Sequence, residues 1–238
     1  MPVQDLQFIL QNAVIANLIS GVLLLLEHEP VITLGNRGNF DDVQKNLHVK
    51  TAPILPVVHA KRGGQTTLHA PGQLICYPIV PIAHHNLRKY IYNLEETVLV
   101  LLANLGITAN RRIGQPGVFV DNSKISSLGL RCRRWVASHG LSLNVNVDLT
   151  LFEQIIPCGD PQMRQTSLEA LSITKLTANT KLTIEGERHE STNEQEDFFS
   201  MSDIKKFYLQ AAEEVFGWPL ETMRQAPYHE VKNILGIR

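Results

Sequence analysis

Apolar residues recur along the chain with two periods, and these divide it into helices and strands. From 88 to 105, Ile91, Leu94, Val98, Leu101 and Leu105 follow one another at spacings of three and four. That spacing puts them on one face of a helix. Residues 4 to 19, QDLQFILQNAVIANLI, read as an earlier helix closed by Gly21, and a late helix is expected from Ser202 as N-cap to Gly217. Between the helices the pattern shortens. VLLLLEH and VITLG read as two buried strands broken by Glu29-Pro30, ILPVVHA as a third and QLICYPIV as a fourth. GVFV and KISSLGL form a hairpin around Asp121-Asn122-Ser123, and GLSLNVNV alternates as a strand does. Strands fill the middle and helices the flanks, so the expected fold is α/β or α+β, a mixed β-sheet flanked by helices.

Composition narrows the function classes. The chain has 238 residues, 44% of them hydrophobic, enough for a sizeable core, and a formal net charge of −1. That balance argues against a nucleic-acid surface and gives no attraction to a membrane. RCRRW is one short basic cluster and reads as a solvated rim. No apolar run approaches the roughly 20 residues of a membrane span. Neither a signal peptide nor a transit peptide is recognisable, since Asp5 comes early and the first arginine is Arg37. The expected compartment is the cytoplasm, or the mitochondrial matrix if the source is eukaryotic and a leader is missing. One catalytic domain is expected over 1–238, with a polar, acidic, mobile insertion at about 176–200.

Three cysteines, Cys76, Cys132 and Cys158, stand without CxxC pairing, which suggests free thiols in a reducing compartment. Cys76 sits inside a strand and reads as structural. Cys158 differs: in IIPCGD it lies between a proline that stiffens the chain and a glycine that lets a ligand approach. A nucleophilic cysteine needs help to become thiolate. His69, His139 and Lys124 are the candidates, and each also has a bland reading as a strand-end histidine or a surface lysine. No His/Cys cluster has metal-ligand spacing. RGGQTTLHAPGQ, residues 62 to 73, reads as a glycine-rich loop between the third and fourth strands. It lacks the Gly-Lys-Ser/Thr of a phosphate loop and the Gly-x-Gly-x-x-Gly of a dinucleotide site.

Three ordered blocks carry a resemblance: RGGQTTLHAPGQLICYPI, the lysine segment GVFVDNSKISSLGL, and SHGLSLN followed by PCG. Together they resemble the lipoyl(octanoyl) transferase family. LEHEPVITLGNRGN and the TSL at Thr166 to Leu168 agree with it. Leu68 stands where that family usually has Tyr or Phe, and Ala70 where it has Gly.

The resemblance implies a fold shared with the catalytic domains of lipoate ligases and biotin protein ligases. It implies transfer of an octanoyl group from octanoyl-acyl carrier protein to one lysine of a lipoyl domain. The acceptors would be lipoyl domains of 2-oxoacid dehydrogenase complexes and the glycine cleavage H protein. The resemblance maps the nucleophile onto Cys158 and its activator onto Lys124, with no cofactor. It maps substrate-binding segments onto Arg62, Gly63, Gly64, Gln65, Thr66, Thr67, Leu68 and His69, onto Ser127, Leu128 and Gly129, and onto Gly140, Leu141 and Ser142. In this reading glycines 63, 64 and 72 bring backbone close to an acyl chain, and His69 orients groups around its carbonyl. Two other readings remain open: an ATP-dependent lipoate or biotin protein ligase on the same fold, and a non-catalytic module that binds a lipoyl domain or an acyl carrier protein.

Overall fold

A computed structural model describes residues 2–43, 55–172 and 200–218. Helix α1 spans Val3–Ile15, α2 Leu87–Asn104 and α3 Met201–Phe216. Ten strands accompany them: β1 Val22–Leu26, β2 Val31–Leu34, β3 Val57–His59, β4 Thr66–His69, β5 Gln73–Ile79, β6 Asn110–Arg112, β7 Gln115–Val120, β8 Ser123–Arg133, β9 Val136–Asn144 and β10 Arg164–Gln165. The fold is α+β with mixed pairing, as expected. Its strands form two sheets, where the sequence suggested one. The larger has the order β1-β5-β9-β8-β7-β6, antiparallel throughout, with β10 running parallel beside Ser123 and Lys124 of β8. The smaller has the order β3-β2-β4. VLLLL and VITL therefore belong to different sheets. Glu29-Pro30 is the break that lets the chain leave one for the other.

The core lies between the large sheet and two helices. Leu94, Val98 and Leu101 of α2 are fully buried, as are Ile204, Tyr208 and Ala211 of α3, against Leu74 and Cys76 of β5 and Leu141 and Leu143 of β9. Burying each large apolar side chain contributes about 1.5–3 kcal/mol, so this face, more than helix propensity, fixes α2 on the sheet. A charge at Val98 would undo it. Helix α1 packs separately, with Leu6, Leu10 and Val14 on Ile79 and Val136. Every residue of β5 is buried, because side chains alternate between faces and both faces are covered. No described helix is long and apolar enough to cross a membrane.

Several boundaries differ from the sequence reading for local reasons. Helix α1 stops at Ile15, because Asn17 turns left-handed (φ 55°) and leaves Leu18 exposed. Helix α3 is capped by Ser200 and not Ser202: the Ser200 side chain accepts from the Asp203 amide at 3.1 Å. Gly217 closes it in the left-handed conformation (φ 66°). The segment read as the loop 62–73 contains a strand, β4, which pairs antiparallel with β2. The polar segment 176–200 lies outside the described residues apart from Ser200.

Candidate active site

Arg62 opens the glycine-rich segment and is almost fully buried. Its Nη1 donates to the carbonyls of Gly63 (3.0 Å) and Gln65 (3.1 Å), and Nη2 to the carbonyl (3.0 Å) and hydroxyl (2.6 Å) of Thr33. No described carboxylate pairs with it. Burial lowers the guanidinium below its ordinary value, yet an arginine keeps its proton in proteins. The result is a fixed positive charge tying the segment 62–65 to β2. The glycines mostly serve this turn. Gly64 (φ 88°) and Gly72 (φ 87°) are left-handed. Of the three glycines expected to approach an acyl chain, Gly63, Gly64 and Gly72, only Gly64 lines the central cavity. The Gly63 amide donates to the Leu130 carbonyl (2.7 Å), and Gly72 abuts the backbone of Asn146 and Val147. Ala70 is absent from the positive-φ residues, so its methyl meets no backbone strain.

Cys158 occupies a single tight turn. The Ile156 amide donates to the Asp42 carbonyl (2.7 Å), the Gly159 amide to Ile156 (3.1 Å), and the Asp160 amide to Pro157 (3.1 Å). Within it Cys158 has φ 58° and ψ 20°, a left-handed conformation that is uncommon for a residue with a side chain and concentrates at functional sites. The thiol is partly exposed, whereas Cys76 is buried and its thiol is pushed up to about 12 by desolvation, which makes Cys76 inert.

Lys124 approaches from the start of β8. There β7 and β8 shift register between Val118 and Phe119, and the Thr166 amide pins the Lys124 carbonyl at 3.0 Å. The side chain is 3% exposed. Its Nζ donates to Cys158 Sγ at 3.4 Å and lies 5.4 Å from the centre of the Phe119 ring. The buried Nζ therefore has a sulfur and an aromatic face as neighbours.

His69 terminates a polar relay. The Thr166 carbonyl can only accept, so Asn144 Nδ2 donates to it (2.9 Å). Asn144 Oδ1 then accepts from Gln73 Nε2 (2.8 Å), and Gln73 Oε1 faces His69 Nδ1 (3.2 Å). This polarity places the proton on Nδ1 and leaves Nε2 as an acceptor. Burial, then the charge of Arg62, holds the ring down to about 3. His69 is thus neutral at ordinary pH and offers a lone pair, not a second N–H.

These residues surround a cavity of about 250 Å³, close to the lower end of ligand-pocket sizes, about 300 Å³. Cys158, Lys124, Arg62, Gly64, Gln65, Thr66, Thr67 and His69 line it, with Ser127, Leu128, Gly129, Gly140, Leu141 and Ser142. Two sequence-predicted residues do not. Gly63 faces Leu130 across β8, and Leu68 is fully buried with Ile32, Val147 and Phe152 beneath the small sheet. His139 is not brought to Cys158 either. It lines a second cavity, of about 170 Å³, with Lys61 and Arg131, its ring stands edge-on to Tyr77 at 5.7 Å, and burial lowers it to about 4. Gln73, Asn144 and Tyr77 were missed by sequence reasoning. Gln73 and Tyr77 interrupt the otherwise apolar, fully buried run of β5, a signal that could have marked them, whereas Asn144 shares β9 with Ser138, His139 and Ser142 and no sequence signal singles it out. Among the described residues no group of three His, Cys, Asp or Glu could hold a metal.

Comparison with known proteins adds to this geometry. The family described as "Lipoyl protein ligase A/B catalytic domain" matches residues 3–184. An octanoyltransferase of Nitratidesulfovibrio vulgaris (strain Miyazaki F) is 44% identical over 148 residues, 61% of this chain and 68% of that one. An octanoyltransferase of Desulfovibrio desulfuricans is 41% identical over 166 residues, 68% of this chain and 70% of that one. Among solved structures, a lipoate-protein ligase A bound with ATP superposes with a TM-score of 0.66 at 11% identity, over 99% of this chain and 88% of that one. The protein Ta0514 of T. acidophilum with bound lipoic acid gives 0.67 at 10% identity, with the same coverage. At such identities the structures speak for the fold alone.

Proposed function

The chain belongs to the lipoyl protein ligase A/B catalytic domain family, and from that premise we propose that it transfers an octanoyl group from octanoyl-acyl carrier protein to a lysine of lipoyl domains, through a thioester on Cys158. The similarity to octanoyltransferases supports the transferase class. The observation that carries the mechanism is Lys124 Nζ at 3.4 Å from Cys158 Sγ, on the wall of a small cavity.

In the first half-reaction the Cys158 thiolate attacks the donor thioester. The bond from carbonyl carbon to donor sulfur breaks, the octanoyl group remains on Sγ, and the leaving thiolate takes a proton from the Lys124 ammonium. Lys124 is then a neutral amine. In the second half-reaction the neutral ε-amine of the acceptor lysine attacks the Cys158 thioester. An amide forms, the Cys158 thiolate leaves, and the amine's surplus proton returns to Lys124. The ion pair is restored, and no nucleotide is consumed. Arg62 adds a fixed positive charge behind the reacting carbonyl, and the Nε2 lone pair of His69 can accept an N–H from the donor or from the incoming amine. The acceptors in this reading are lipoyl domains of 2-oxoacid dehydrogenase complexes and the glycine cleavage H protein.

The test is acyl transfer from octanoyl-acyl carrier protein to a purified lipoyl domain, with ATP omitted. Turnover without nucleotide supports the reading. Turnover only with ATP and free octanoate points to a ligase, and binding without turnover to a recognition module.

A further inference from the structure

We infer that Glu95 is a positioning residue that sets the reach of Lys124 toward Cys158, acting through the backbone of Gly117. The inference rests on the role proposed for Lys124 above. Glu95 lies on α2 beside the apolar face that packs on the sheet, and it is 7% exposed. A carboxylate buried there is costly unless both oxygens are occupied. Both are: Oε1 accepts from the Gly117 amide at 2.9 Å, and Oε2 from Arg111 Nε at 3.1 Å. Arg111 is itself fixed. It donates to the Tyr92 carbonyl (3.0 Å), pairs with Glu96, and lies 3.9 Å over the Tyr92 ring. One carboxylate therefore ties α2 to β6 and β7 at the point where Gly117 sits.

Gly117 is the floor beneath Lys124. Its φ is +133°, a conformation that side chains rarely adopt, and an added Cβ would stand 2.5 Å from Lys124 Cε, 2.4 Å from the Ser126 carbonyl and 3.2 Å from Nζ. The methylenes of Lys124 run across the bare Cα of Gly117 on their way to Cys158. Beyond that floor, the described contacts of Nζ are the sulfur it serves and the Phe119 ring. The ammonium is therefore aimed by how the Gly117 peptide is turned, and the Glu95 carboxylate holds that peptide. In Glu95→Gln the side-chain volume stays, but an amide N–H can face Arg111 Nε–H, donor against donor, and the charge that fixed both partners is gone.

The experiment is a double-mutant cycle read in two ways: alkylation of Cys158 by iodoacetamide at neutral pH, and kcat and KM for the octanoyl donor. Glu95→Gln is expected to lower kcat about tenfold, the scale of loss from a sub-ångström misplacement of a reacting group. KM for the donor should stay within about twofold. Alkylation should slow in Glu95→Gln and in Lys124→Met, and the double variant should be no slower than Lys124→Met alone, because both act through one ammonium. A purely structural role would add its effect to that of Lys124→Met. Additive slowing, or wild-type alkylation in a folded Glu95→Gln, overturns the inference. If Lys124→Met itself alkylates as wild type, the Lys124 reading falls and this inference falls with it. Should Glu95→Gln fail to fold, Arg111→Met, which leaves the carboxylate present but unclamped, enters the same cycle with the same expected and contrary results.

Discussion

The ammonium of Lys124 stands 3.4 Å from the sulfur of Cys158 across 34 positions of sequence. Two unrelated local devices produce that approach. Lys124 sits at a register shift between β7 and β8, and Cys158 sits in a left-handed turn after Pro157. Lys124 reaches out from the start of β8 beside the shift, and Cys158 from a turn, so the pairing is a property of the fold around the cavity.

Lys124 has two separable duties in this account, charge and proton transfer. Lys124→Met removes both and should slow iodoacetamide alkylation of Cys158 at neutral pH by about tenfold, because the charge beside the sulfur is gone. Lys124→Arg keeps the charge but cannot act as a base near neutral pH. It should be acylated by the donor more slowly, the leaving thiolate drawing its proton from solvent, and then fail to pass the group on because nothing takes up the amine's proton, so the acyl-enzyme accumulates. Equal alkylation of wild type and Lys124→Met would remove Lys124 as activator.

Stability should fall on mild acidification because of His69. Its folded pKa, about 3, lies below the ordinary 6.5. Above pH 6.5 both folded and unfolded chains hold it neutral, and it has no effect. As pH drops below 6.5 the unfolded chain takes up a proton that the fold refuses, and stability declines until about pH 3. At pH 4.5 the loss from this residue is on the order of 3 kcal/mol, and His139, lowered to about 4, adds to it. Urea unfolding at pH 7 and pH 4.5 checks this. The decline should be smaller in His69→Gln, and an equal decline in the two proteins would contradict the assignment.

Gly159 is left-handed (φ 67°), and a Cβ there would stand 2.9 Å from Gln65 Nε2. Gly159→Ala should lower stability by about 1 kcal/mol from backbone strain, or about 2–4 °C in Tm for a chain of this length. It should also displace the Gln65 side chain from the Cys158 turn and slow transfer. An unchanged Tm with an unchanged rate would show that the turn tolerates a side chain.

How much of this was legible in the sequence depended on whether the cause was local. Helix α2 could be read off because its apolar residues repeat every three or four positions. Cys158 stood out because proline and glycine on either side of a cysteine serve backbone needs that no buried thiol has. The small sheet was not visible. Its strand β4 lies inside a segment that looked like loop, and β3 joins β2 in parallel by a pairing that no short-range pattern records. His139 looked like a partner for Cys158 on composition alone. Its left-handed backbone (φ 56°) within β9 and its place on the second cavity depend on packing against α1, where Gln7 accepts from its amide. Nothing in the sequence set Glu95 apart, since the groups that satisfy it, Gly117 and Arg111, lie 22 and 16 positions away on strands.

The proposed reaction runs through a covalent octanoyl intermediate on Cys158. The direct measurement is intact mass of the purified chain after mixing with octanoyl-acyl carrier protein, without ATP and without acceptor, followed by peptide mapping. The expected result is a gain of one octanoyl group on the Cys158 peptide, its loss when a lipoyl domain is added, and no gain in Cys158→Ala, in which Cys76 and Cys132 remain. An adduct that persists in Cys158→Ala, or transfer to the lipoyl domain at the wild-type rate by that variant, would contradict it.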